Sequence, residues 1–522
     1  MDEQIEPLNY TGPVADDTID TVEISVDQVR KLLKCLNTSK TMGPDKLHAR
    51  ILRELADEIA EPLTHIFEAS VLSGKVPDDW KHALISAIHK KGDRALPSNY
   101  RPISLTSQVC KILERIIRGS LIDHLEENRL ICEEQHGFRR SRSCLTNLLE
   151  TLEDWSRWDD DNHNFDVLFL DFQKAFDSVP HKRLVCKLHK LGIRGHLLNW
   201  IEDFLSERKQ RVVVNGCESS WKSVTSGVPQ GSVIGPLLFV CYINDLPSVI
   251  KASFCKIFAD DTKIYDVVLP DVHTSQLQEN VDALNSWSEE NLLYFNAGKC
   301  SVMHFGKTNP RKDYCLKDEN IKVSKSEKDL GVTIDDSLSF KEHVTKAIGK
   351  ASQALGVIRR TFNYLNVDLF RDLYLTFIRP HLEYCVQVWS PYHRGEIDKL
   401  EKFQRRATKL VPSLTELPYE ERLHRLGLTT LEERRVRGDQ IEVYKILNGF
   451  ENINREKFFQ YRVYQGNMRG HNHMLHKQQV NKEKRRHFFS QRIVNIWNNQ
   501  NQEVIEATTV NQFKDRFDKS NS

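Results

Sequence analysis

The run DVLFLD closes an apolar, β-rich stretch on Asp171, and FADDTKIY places Asp260 and Asp261 at the turn between two further β-rich runs. If these runs are neighbouring strands of one sheet, their ends bring three carboxylates together, and such crowding of like charge is relieved by cations. Hard carboxylate oxygens suit Mg2+ or Mn2+. Two such ions, about 3.5–4 Å apart, would activate a 3′-hydroxyl and stabilise a leaving pyrophosphate, which is nucleotidyl transfer. Taken singly, either acidic motif reads equally as solvated acids at a strand end or a turn.

The elements that would present these acids follow from hydrophobic periodicity. Between residues 166 and 306 strands alternate with helices: DVLFL is a strand, residues 182–191 and 196–205 are helical, and RVVV and residues 221–225 are strands. Residues 233–246 form a helix, KIFA and TKIY a hairpin, residues 272–293 a helix and residues 300–305 a strand, giving an α+β layer. Upstream, Ser25 caps a helix that aligns Val29, Leu32, Leu33 and Leu36. Gly43 and Pro44 break the chain before a helix over 47–59, and Pro62 opens another toward Leu72. Residues 81–89 read as a buried strand leading into a loop that ends at Tyr100. Beyond Phe340, the spacing of Val344, Ile348, Leu355, Ile358, Leu369, Leu373 and Phe377 predicts a separate helical domain.

Composition narrows the class. The 522 residues are 39% hydrophobic and 28% charged, unlike a collagenous, disordered or membrane-embedded chain. The longest apolar stretch, 234–243, falls far short of the roughly 20 residues that cross a bilayer, so no membrane partner is expected. Eight acids and no Lys or Arg occupy the first 29 residues, the reverse of a signal peptide, which predicts a nuclear or cytoplasmic protein that is not secreted. Eleven cysteines without a CxxC pair indicate neither a disulfide framework nor a local zinc site. A net charge of +1 conceals polarity: 32 Lys and Arg stand against 21 Asp and Glu from residue 341 onward, and 42 against 52 before it. A basic half commonly meets phosphate, whereas an acidic half either holds metal or is a solvated face.

Five motifs then occur in one order: YRPISLTS, QHGFR, FLDFQKAFDSVPH, SGVPQGSVIGPLLFVCYINDLP and FADDTKIY. Together they resemble the reverse transcriptase of non-LTR, LINE-type retrotransposons, the jockey-like lineages in particular. The likeness covers about residues 25–450, from KTMGPDK to HLEYCVQVWSP and LEKFQRRATKLV. It implies an α+β right-hand polymerase. Fingers would span 25–165, the palm 166–335 and a helical thumb 336–450, between an acidic lead (1–24) and a basic extension (451–522). The reverse transcriptase domain proper would lie over about 75–335. The implied reaction is RNA-directed DNA synthesis, extending a DNA 3′ end on an RNA template with deoxynucleoside triphosphates and Mg2+, or Mn2+, as cofactor.

By this resemblance Asp171 is the first metal ligand, assisted by the carbonyl of Phe172, and Asp260 and Asp261 are the paired acids of the hairpin. Phe176 matches the bulky position whose ring excludes a ribose 2′-hydroxyl, the other reading being a core aromatic. Asp177 falls near a second acid of RNA polymerases, although FDSVPH fits the retroelement pattern better. Gln230 and Gly231 line the incoming nucleotide and template, and Lys90 and Arg101 hold the triphosphate, with Lys91 one residue away as the alternative to Lys90. Lys299 matches a lysine that protonates pyrophosphate, with Cys300 where threonine is common; the other reading is a solvated surface lysine.

Outside these motifs, ten Lys and Arg between 455 and 492, with Phe458, Phe459, Tyr461 and Tyr464, would clamp template RNA or form a disordered solubilising tail. Arg405, Arg406 and Lys409 form a basic face for the primer–template duplex. His471, His473 and His476 lack a metal-caging pattern. About 25 residues precede the first matched segment, too few for a domain, and neither a zinc knuckle nor a ribonuclease H pattern follows. The expectation is therefore the polymerase portion without an endonuclease domain. Rival readings are a catalytically inactive relic or domesticated nucleic-acid-binding protein, and an RNA-directed RNA polymerase, which Phe176 disfavours.

Overall fold

Phe165 and Val167 alternate along one strand with Leu168 and Leu170, and both sets are buried, so this strand has a hydrophobic core on each of its faces. The computed structural model describes residues 9–269, 276–462 and 471–520. Asp2, Glu3, Glu6, the start of the helix expected from 272, Tyr464 and Arg469 lie outside the described residues.

The N-terminal part is helical, with α1 (Val26–Lys34) and α2 (Ala56–Ser73) packed together. Ser25 caps α1 by accepting the N–H of Gln28, as its position predicts. The break before α2 falls at Leu55, after a short helix Ala49–Glu54, and α2 runs through Pro62 instead of starting there. A mid-helix proline loses one backbone bond, and burial of Ala60, Thr64, Phe67 and Val71 on the inner face of α2 offsets it.

Strands β1 (His82–His89) and β2 (Tyr100–Leu105) form an antiparallel hairpin. Helix α3 (Gln108–Glu127) follows, and α4 (Cys144–Asp160) starts on a reciprocal cap between Ser143 and Thr146. Strand β3 (Phe165–Leu170) is the run that ends on Asp171. Strand β4 (Lys209–Val214), expected in the same layer as β3, instead pairs in parallel with β1 and extends the hairpin sheet. Helix α5 spans Gly235–Tyr242. Strands β5 (Phe254–Phe258) and β6 (Asp261–Val267) make the acidic hairpin, and α6 (Gln276–Glu290) leads to β7 (Ser301–Phe305). Across this second sheet the order is Lys322–Val323, β7, β3, β6, β5, so β3 lies inside and β5 at an edge.

A small hairpin, β8 (Ser326–Asp329) and β9 (Val332–Asp335), precedes a helical region comprising α7 (Lys341–Thr361), α8 (Arg394–Thr408), α9 (Leu431–Leu447) and α10 (Val510–Ser520). These helices were expected to form a separate domain. They share their core with the sheet: Trp155 of α4 packs on Phe305 and Tyr265 at ring distances of 5.4 and 5.7 Å, in one apolar cluster with Val344, Phe403, Tyr444 and Trp497. The opposite face of the sheet meets the core built by α1, α2, α3 and α5. No helix among the described residues is long and apolar enough to cross a membrane.

Candidate active site

β3 and β6 pair antiparallel with Leu170 opposite Thr262, and the same register continued by one residue sets Asp171 level with Asp261. Directly opposed residues of an antiparallel pair lie on one face with Cβ atoms about 4.5–5.5 Å apart. The hairpin closes tightly: Phe258 pairs with Asp261, so Ala259 and Asp260 alone make the turn, Ala259 at a φ of +55°. The structure therefore brings Asp171, Asp260 and Asp261 to one end of the sheet.

The electrostatics of the three are mutual. Asp261 keeps solvent contact yet is crowded by protein on most sides; that burial, followed by the charges of Asp260, Asp329 and Asp171, pushes its carboxyl up to about 7. Asp260 is also raised, first by burial and then by Asp171, while Arg101 and Lys299 pull it back. Lys299 Nζ donates to Asp171 Oδ1 at 2.9 Å while its side chain stays largely exposed, so the lysine touches the cluster from the solvent side. The adjoining Cys300 thiol is buried and raised to about 11, chiefly by desolvation. Asp171 is anchored through its own carbonyl, which accepts the N–H of Asn296 at 2.7 Å, and the Phe172 ring stacks on Phe295 at 4.2 Å. Among the described residues, no three His, Cys, Asp or Glu side chains are placed to hold an ion by themselves.

The other predicted residues converge from the hairpin sheet. Ile88 pairs with Arg101, and the Lys90 N–H bonds the Asn99 carbonyl, so alternation places Lys90 and Arg101 on one face at the loop end of the hairpin, both exposed. The segment containing Gln230 and Gly231 is fastened to β2, for the Ser104 N–H donates to the Gln230 carbonyl at 2.7 Å. Gly231 has a φ of +133°, and a Cβ there would lie 2.3 Å from the Ser104 carbonyl oxygen, so a side chain would part the two segments. The Gln230 amide donates to Asp177 at 2.9 Å; burial raises Asp177, and this bond, then Lys174 and Lys90, lower it. Phe176 stacks on Phe239 of α5 at 4.4 Å and remains half-buried. Beneath these contacts the wholly buried Glu114 of α3 accepts the N–H groups of Val233 and Ile234, fixing the start of α5.

Two features escaped the sequence reading. The cleft holding Asp171, Asp261 and Lys299 is also lined by Lys263, Lys328 and Asp329, and Lys263 is buried in a hydrogen-bonded ion pair with Asp329. The Lys263 position was visible within FADDTKIY; its partner, 66 residues away, was not. The second is the fate of the basic tail. Arg485 is buried against Glu153, Lys457 donates to Asp154, Lys482 and Lys484 pair with Asp159, Arg492 with Asp439, and Arg486 with Glu483. Phe458, Phe459, Phe488 and Phe489 are core residues. The described part of this tail is thus folded and not disordered; Lys457, Lys482, Lys484 and Arg485 meet the acidic face of α4, while Arg455, Arg462 and Lys477 remain exposed. Arg405 stacks on Tyr419 at 4.2 Å and Arg406 donates to Ser352, yet both stay exposed, as does Lys409. His471 is buried with both ring nitrogens bonded to backbone, to the Trp497 carbonyl and the His473 N–H.

The profile of the reverse transcriptase (RNA-dependent DNA polymerase) family matches residues 88–365. The chain is 30% identical over 409 residues to the RNA-directed DNA polymerase from mobile element jockey of Drosophila melanogaster, covering 74% of this chain and 44% of that protein. It is 29% identical over 453 residues to the probable RNA-directed DNA polymerase from transposon BS of the same species, covering 83% and 49%. Over 179 residues it is 32% identical to a retrovirus-related Pol polyprotein from type-1 retrotransposable element R2 of Popillia japonica, covering 34% and 24%. The chain spans less than half the length of the jockey and BS proteins.

Proposed function

This chain belongs to the reverse transcriptase family, and from that premise we propose that it is an RNA-directed DNA polymerase that extends a DNA 3′ end on an RNA template, as in target-primed insertion of a non-LTR element. The observation that carries the reading is the register that sets Asp171 level with Asp261, beside Asp260 and with Lys299 on Asp171. In this reading the sheet of β3, β6 and β5 is the palm, the β1–β2 hairpin belongs to the fingers, and α7 to α9 form the thumb.

The donor set fits Mg2+ or Mn2+. Hard oxygens of one or two carboxylates, completed by substrate phosphates, are how Mg2+ is usually held, and the burial and neighbouring like charges that raise Asp261 are both relieved by a cation there. Asp171, Asp260, Asp261 and the Phe172 carbonyl would hold the ions. When bound, they polarise the primer hydroxyl and neutralise charge on the departing pyrophosphate.

The chain's own residues supply the rest. Lys90 and Arg101 offer two cations on one face for the triphosphate. Gln230 and Gly231 form a floor on which nucleotide and template rest, held to β2 and to Asp177. Phe176, backed by Phe239, presents a ring edge that excludes a ribose 2′-hydroxyl. Lys299 carries a proton at Nζ and gives it to pyrophosphate as the P–O bond breaks. The test is Mg2+-dependent extension of a DNA primer on an RNA template, compared with Asp260→Ala. Extension with deoxynucleotides that the substitution abolishes supports the reading; a folded wild-type protein that binds the hybrid and does not extend it overturns it.

A further inference from the structure

The QHGFR motif has no part in the chemistry above, yet it touches the catalytic turn. Strand β5 is an edge of its sheet, and residues 134–136 cover that edge: the Glu134 carbonyl accepts the Ile257 N–H, and the His136 N–H donates to the Ile257 carbonyl, both at 2.9 Å. Asn147 of α4 adds a bond to the same carbonyl at 3.1 Å. Gln135, 1% exposed, turns its amide oxygen to the end of the strand, where it accepts the N–H of Gly137 at 2.7 Å and of Ala259 at 3.0 Å. Gly137 has no room for a side chain, since a Cβ there would lie 2.5 Å from the Ala259 nitrogen.

Ala259 immediately precedes Asp260 and, at a φ of +55°, occupies a left-handed conformation that disfavours any residue with a Cβ. Such a conformation persists only where its surroundings over-determine it. Among the described residues the Ala259 N–H is held by the Gln135 amide oxygen, beside the Phe258–Asp261 pairing that closes the hairpin. Removing that oxygen would loosen the turn and free the direction of the Asp260 side chain.

We infer that Gln135 is a positioning residue: its side-chain oxygen holds the Ala259 N–H, fixes the left-handed turn and so aims Asp260 and Asp261. This rests on the polymerase reading for its consequence in turnover, but the geometry it asserts is independent of that reading.

The test compares wild type with Gln135→Met, which keeps volume and removes the acceptor, and with the double variant Gln135→Met/Ala259→Gly, in which glycine adopts positive φ without an anchor. The readouts are kcat and KM for deoxynucleotide, affinity for the RNA–DNA hybrid, thermal midpoint, and binding of Mn2+ alone followed by electron paramagnetic resonance. Gln135→Met is expected to lose about 100-fold in kcat and about tenfold in Mn2+ affinity, with nucleotide KM and hybrid affinity within about threefold of wild type; Ala259→Gly restores roughly a decade of each loss. Wild-type kcat and Mn2+ affinity in Gln135→Met overturn the inference. So does a loss that tracks the thermal midpoint and that Ala259→Gly leaves unrestored. If wild type extends no primer but Gln135→Met still weakens Mn2+ binding and Ala259→Gly restores it, the positioning role stands and the polymerase reading falls.

Discussion

Lys299 Nζ stands 2.9 Å from Asp171 Oδ1, joining residues 128 positions apart in sequence. An ammonium on this carboxylate holds the place that a cation would take, and it also places a proton beside the expected leaving group. Lys299→Met should therefore lower the half-saturating Mg2+ concentration while reducing kcat about 100-fold. Lys299→Arg, charged but unable to release its proton, should keep the Mg2+ requirement and still lose turnover. Steady-state extension across a Mg2+ titration separates the two effects.

Asp261 gives a pH dependence whose sign is fixed. A carboxyl whose folded value is raised to about 7 favours the folded metal-free protein at low pH, and that contribution is lost as pH rises from the ordinary carboxylate range through 7. Asp261→Asn should then raise the thermal midpoint in chelator at pH 8 more than at pH 5. Metal binding has the opposite slope: with one proton released per site, half-saturating Mg2+ should rise about tenfold per pH unit below 7. Midpoints that move together at both pH values would contradict this.

Phe176 is stacked against Phe239 and is thereby held in one orientation. Phe176→Ala should increase ribonucleotide use relative to deoxynucleotide by about 10–100-fold, since the excluded group is small and the ring is the barrier. Single-nucleotide extension with each substrate measures the ratio; an unchanged ratio makes Phe176 a core aromatic only.

Arg485 and Glu153 form a buried ion pair, with Glu153 also accepting from Ser490 at 2.7 Å. Arg485→Met leaves the buried carboxylate with only Ser490 and the more exposed Arg157, at 3.3 Å, and should destabilise the protein by about 3 kcal/mol. Adding Glu153→Gln should recover most of it. The measurement is urea unfolding at low and high salt, where a buried pair responds little to ionic strength.

These residues also mark how far the chain was legible before its fold was known. Asp171, Asp260 and Asp261 were readable because a strand end and a turn announce themselves locally, through apolar runs broken by acids. The Gly231 position was readable as a motif, but the reason for glycine lies in the Ser104 carbonyl, on a strand of another sheet. Arg485 could not be read at all: a charge count sees a basic tail, while its partner sits 332 residues upstream on α4. Strand β4 was recognised as a strand and placed in the wrong layer, because a local β-rich run reveals a strand and is silent about the sheet it joins.

The strand that ends on Asp171 has core on both faces and a paired strand on both edges. Its backbone hydrogens can be traded for deuterium only when the two apolar clusters part together, so β3 should be among the last segments to take up label. A cut between residues 171 and 299 therefore parts β3 from β7 and Asp171 from Lys299, so neither fragment would keep the centre whole.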